Sequence, residues 1–135
     1  MKYVSKRMIV VINTMVLELS GGVRPVGANI RAGQNLGFVD RIHANVLFGE
    51  QLYPDIFHQA AAYMFYIIKD HIFVDGNKRT GLATAITFLE WNDVLFGRFD
   101  LHGAFDFVMS MAGGSNEAST VIPKLAGWLK HASRT

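Results

Sequence analysis

The sequence predicts an all-α fold, a compact helical bundle interrupted by a short irregular or β-hairpin flap. Three observations carry this. Apolar residues recur at helical spacing along most of the chain, two strongly apolar helical stretches occupy its middle, and one turn-rich segment near the N-terminus has no helical period. With 135 residues, the chain is sized for a single domain over 1–135. Folding at that length buries roughly two-thirds of the unfolded surface. Half of the residues are hydrophobic and 18% are charged, enough apolar material for a core.

The first helix places Met8, Ile9, Ile12, Val16 and Leu19 on one face and stops at Gly21-Gly22. Its Ile9-Val10-Val11-Ile12 run is also compatible with a strand. Lys2, Lys6 and Arg7 ahead of an uncharged stretch resemble a signal peptide, but Asn13 and Thr14 interrupt it and no small-x-small cleavage site follows. The stretch is also far short of the ~20 apolar residues of a membrane span. A core helix is the better reading, and no membrane partner is expected.

Residues 22–33 then form the flap, where glycines, Pro25 and Asn29 break any helical period and allow a short hairpin. Helical spacing returns over 38–47 through Phe38, Ile42, Val46 and Leu47. Tyr53-Pro54-Asp55 is a strong helix start, with proline in the first turn and an acid beside it. The helix that follows, to about Lys69, is apolar nearly all round, as a helix in the middle of a bundle should be. Asn77–Trp91 reads as a second such helix. Another is expected over 101–112, with Leu101, Ala104, Phe105, Val108 and Met111, ended by Gly113-Gly114. The last has Ser119 or Thr120 as its cap, Pro123 in its first turn, then Leu125, Trp128 and Leu129.

Composition removes several function classes. There is no cysteine, which excludes disulfides, thiolate zinc sites and thiol catalysis and suits the cytoplasm. A formal charge of +2 with no basic stripe gives no reason to expect nucleic-acid binding. No G-x-S-x-G elbow, H-E-x-x-H pair or Walker loop is present, and His43, His58, His102 and His131 show no ligand spacing.

The chemistry concentrates between the two central helices, in the stretch from His71 to Gly81. A helix start leaves backbone N–H groups without intrahelical partners, and the macrodipole adds positive potential there. Such an end is a ready anion site. Gly76 lets a phosphate approach the backbone, because glycine has no Cβ. Lys78 and Arg79 sit at the positive end of the helix, where two cations are unfavourable unless an anion joins them. Asp75 is a hard oxygen ligand of the kind Mg²⁺ takes alongside substrate phosphates. His71, at the other edge, can accept a hydroxyl proton near neutral pH. Together these point to phosphoryl or nucleotidyl transfer. Singly, each has a structural role open to it: Asp75 as helix N-cap, Lys78 and Arg79 as solvated charges, His71 as a structural histidine. Phe73 is a core anchor under either reading.

His71-Ile72-Phe73-Val74-Asp75-Gly76-Asn77-Lys78-Arg79 closely resembles the Fic/Doc signature H-x-F-x-[DE]-[GA]-N-[GK]-R, with seven defined positions matching in order. The arginine-bearing flap after Gly21-Gly22, the Tyr53-Pro54-Asp55 entry and the closing Trp128-Leu129 helix also resemble the family. The resemblance covers most of the chain, whose short length is typical of the Doc branch.

The resemblance implies His71 as the general base on a target-protein hydroxyl and Asp75 as the Mg²⁺ ligand. It implies that Gly76, Asn77, Lys78 and Arg79 hold the phosphates of ATP, and that the flap, residues 22–31, docks the target's backbone. Fic AMP-transferases carry glycine where this chain has Lys78, and usually a second arginine where it has Leu82. Doc-type members resemble this chain at both places, and their lysine goes with an inverted ATP that presents its γ-phosphate. Gly76 departs from that branch, which often has alanine.

The expectation is therefore a Doc-type kinase toxin acting on a protein such as elongation factor Tu and restrained by a Phd-like antitoxin. Alternatives are a Fic-type AMP-transferase and a non-catalytic antitoxin-binding module. Thr14 and Glu18 match the first part of the family's inhibitory pattern [ST]-x-x-x-E-[GN]. Leu19 breaks it, so restraint is expected from another chain.

Overall fold

The computed structural model describes residues 1–19, 29–97, 106 and 117–133. The centre of the molecule is α3 (Ile56–Lys69), in which Gln59 to Phe65 are buried without a break. A helix with so few polar positions must be covered on several sides. It packs against α2 (Phe38–Ala44), α4 (Asn77–Trp91) and α5 (Ala118–Ala132), while α1 (Lys6–Leu19) packs on α4. The expected all-α fold is what the structure has, with one small sheet. Among the described residues no helix is long and apolar enough to cross a membrane. The helix expected over 101–112 and flap residues 22–28 lie outside the described residues, apart from Asp106, which is helical.

Three local expectations are corrected. The helix expected over 38–47 ends at Ala44, because Asn45 takes a left-handed conformation (φ 52°) and returns its N–H to the Arg41 carbonyl. Val46 and Leu47 then form β1 (Val46–Leu47), paired antiparallel with β2 (Glu50–Gln51), and both apolar side chains face solvent. Phe48 and Gly49 at the tip both have positive φ, the geometry of a two-residue type I′ turn. The Asn45 amide closes the base of this hairpin, accepting from Tyr53 N–H at 2.6 Å and donating to the Tyr53 carbonyl at 3.1 Å.

At α3, Pro54 stays outside the helix and Asp55 is its N-cap, accepting the His58 N–H. In α5 the helix starts at Ala118 with Glu117 as cap, so Pro123 falls in the second turn and has no N–H for the Ser119 carbonyl. Ser119 is exposed, and water can take that carbonyl.

Two features fix where the site forms. Gly81 lets α4 cross close to the end of α3, since a Cβ there would lie 3.0 Å from Ile68 Cδ1 and 3.1 Å from the Met64 carbonyl oxygen. The start of α4 therefore lies beside the C-terminus of α3. The N-terminal segment is pinned as well. The buried Tyr63 hydroxyl donates to the Val4 carbonyl at 3.0 Å and accepts the Val4 N–H at 3.1 Å, with His43 Nε2 also 3.1 Å away. At the far end of α4, the Asn92 side chain brackets the Lys2 backbone. These anchors set the position of α1 against α4.

Candidate active site

The site begins where α3 ends. Asp70 is the C-cap and His71, the next residue, is left-handed at φ 46°. His71 N–H donates to the Ile68 carbonyl (3.2 Å) and Ile72 N–H to the Ile67 carbonyl (3.3 Å). This pair of bonds is a Schellman motif, in which the left-handed position usually belongs to glycine. A histidine there carries steric cost, held in place by the buried Ile72 that follows it. Its own side chain is exposed.

The loop from Ile72 to Gly76 is clamped from three sides. Phe73 is buried, as expected of a core anchor. The Asn77 side chain reaches back to it, accepting the Phe73 N–H at 2.8 Å and donating to the Phe73 carbonyl at 2.9 Å. The end of the flap pairs along the loop's edge. Ile30 bridges Phe73, Arg31 N–H donates to the Ile72 carbonyl at 2.8 Å, and Val74 N–H donates to the Asn29 carbonyl at 3.1 Å. From below, the buried Asn13 of α1 donates to the Asp75 carbonyl and to Thr80 Oγ1.

Asp75 is not the N-cap of α4. Gly76 is, at φ 78°, and having no side chain it makes no cap bond of its own. Asp75 Oδ1 instead accepts the Gly76 N–H at 2.8 Å, which leaves acceptor capacity on an exposed carboxylate. The helix's own ladder begins with Thr80 N–H to the Gly76 carbonyl, so the N–H groups of residues 77–79 lie outside that ladder, at the helix start. Glycine is needed at 76 for its φ and for space: a Cβ would stand 3.1 Å from Leu17 Cδ2.

One cavity of about 830 Å³ is lined by all six residues that the sequence singles out, His71, Asp75, Gly76, Asn77, Lys78 and Arg79. Its apolar walls come from α1 (Val16, Leu17 and Leu19), from Ile68 of α3, from Val74 of the loop and from Leu82 and Ala83 of α4. His71, just beyond the end of α3, thus shares a space with the start of α4. The side-chain amide of Asn77 is committed at both its oxygen and its nitrogen to the Phe73 backbone.

Residues 3–89 match the Fic/DOC family. The chain belongs to that family. The match covers α1 to α3, α4 up to Leu89 and every site residue named so far. Two curated Fic/DOC relatives extend over most of the chain. "Toxin Doc" of Mycolicibacterium smegmatis is 32% identical over 114 residues, 82% of this chain and 87% of that protein. "Protein kinase doc" of Escherichia phage P1 is 30% identical over 125 residues, 93% of this chain and 94% of that protein.

Sequence reasoning missed Asp106, which adds a second carboxylate to the Fic/DOC cavity from outside the motif. It also missed Asn13, although a polar residue inside an apolar helix was a visible signal. Glu18 is exposed and is not among the lining residues, and Thr14 Oγ1 donates to the Val10 carbonyl of its own helix.

Proposed function

We propose that this chain is a Doc-type toxin that transfers the γ-phosphate of ATP to a Ser or Thr hydroxyl of a protein target. The observation that carries the reading is the shared cavity, with His71 at one helix end and the cationic start of α4 at the other. The names of the two relatives, a toxin and a protein kinase, agree with it.

In this reaction His71 takes the proton of the attacking hydroxyl. The hydroxyl oxygen bonds to the γ-phosphorus as the bond from that phosphorus to the β–γ bridging oxygen breaks, and ADP leaves. The turn from Gly76 to Arg79 holds the phosphates by backbone N–H groups and by charge. Among the described residues no three metal-ligating side chains gather, and the Asp75 carboxylate fits Mg²⁺ that would be held together with substrate phosphates and would neutralise charge on the nucleotide. Positioning accounts for most of the catalysis, because the outcome depends on which phosphorus lies in line with the attacking oxygen.

Gly76 favours a second reading, adenylyl transfer as in Fic AMP-transferases. Lys78 and Leu82 weigh more, because they add and remove charge at the phosphates. The proposed setting is the cytoplasm, with elongation factor Tu as the first target to test and a Phd-like antitoxin as the restraining partner.

Labelled ATP separates the two readings. Label from the γ-position, and none from the α-position, is expected on the target's Ser or Thr, and Lys78→Gly should sharply reduce it. Transfer of α-label by the unmodified protein would replace the kinase reading with adenylyl transfer.

A further inference from the structure

Asn13 is fully buried on the face of α1 that carries the buried Ile9, Ile12 and Leu17, and it lies outside the signature motif. A buried amide is retained when its hydrogen bonds are made, and these are. Nδ2 donates to the Asp75 carbonyl at 3.0 Å and to Thr80 Oγ1 at 3.1 Å, while Oδ1 accepts from Asn29 Nδ2 at 3.3 Å. One side chain therefore ties together the end of the flap, the loop and the first turn of α4.

We propose that Asn13 is the positioning residue of the anion-binding turn. The peptide between Asp75 and Gly76 is planar, so holding its carbonyl towards α1 fixes the direction of the plane. Gly76 then turns left-handed, and the N–H groups that follow inherit their aim from that plane. The bond to Thr80 holds the other end, where the helical ladder starts. The link to Asn29 couples the same turn to the flap, because the Asn29 carbonyl accepts the Val74 N–H. Asn13 touches the backbone of the turn and acts through it. Its catalytic consequence rests on the kinase reading above; its structural consequence does not.

The test uses Asn13→Ala in the full chain. Transfer should fall about 10²-fold in kcat/KM, the scale of a small misplacement of reacting groups. The pH midpoint of the remaining activity should stay that of the unmodified protein, since His71 is untouched. In the free protein, amide hydrogen exchange at Phe73, Val74 and Thr80, all bonded in the structure, should accelerate, while exchange in the middle of α3 does not change. Thr80→Val removes one of the two acceptors at equal volume and should cost about tenfold, the scale of one lost hydrogen bond; it carries the test if Asn13→Ala does not fold. Unchanged exchange at those three amides, or kcat/KM within twofold of the unmodified protein, overturns the proposal. If the unmodified protein transfers no phosphate, the kinase reading fails, and the exchange measurement still decides Asn13.

Discussion

At the end of α3 a histidine occupies the left-handed position where a helix usually places glycine. The cost is steric, on the order of 1 kcal/mol, and the imidazole is exposed, so burial of the ring does not offset it. Strained positions of this kind cluster at functional sites, which agrees with the role proposed for His71. The stability of two variants should show it. His71→Gly should be more stable than His71→Ala by about 1 kcal/mol in denaturant unfolding, because only glycine relaxes at that φ. Equal stabilities would mean that the left-handed conformation is not strained in solution. The sequence shows the imidazole, the carboxylate and the two cations of the motif plainly, because they are adjacent. It does not show the left-handed backbone, which arises from how α3 ends and from the burial of Ile72 and Phe73 behind it.

At the scale of elements, α3 begins as deliberately as it ends. Burial pulls the Asp55 pKa upwards, but hydrogen bonds from the His58 ring and N–H, the His58 charge and the Phe57 N–H outweigh it and hold the carboxyl below its ordinary value. A lowered folded-state pKa means that the cap stabilises fully above the ordinary carboxylate range. That contribution is lost as pH falls through the lowered value. Asp55→Ala should therefore cost about 1 kcal/mol at neutral pH, and the cost should fade on acidification, as read from denaturant unfolding of both proteins across pH. A cost that stays constant down to low pH would remove the charged cap from the account.

The start of α3 was legible from Tyr53-Pro54-Asp55. The β1–β2 hairpin was not, because Phe48-Gly49 lacks the usual Asn-Gly signal and Val46 and Leu47 continue the helical spacing of Phe38 and Ile42. Pro123 misled in the other direction: proline favours a helix's first turn, but here the exposed Ser119 carbonyl tolerates the missing donor one turn later.

For the whole molecule, the bundle brings two helix ends into one cavity and braces the loop between them from α1. The signature motif was readable because its residues are adjacent in the chain. Asn13, 62 residues before Asp75, and Asp106, beyond the second central helix, reach the site only through the fold. In the proposed function this cavity performs base-assisted phosphoryl transfer with His71 as the base. The most direct test measures γ-phosphate transfer from ATP to the target by the unmodified protein and by His71→Ala, with folding of both verified by circular dichroism. With His71 as the base, the variant should fold and its transfer rate should be lower by about 10²–10⁴-fold. A folded His71→Ala protein that transfers at the unmodified rate would contradict it.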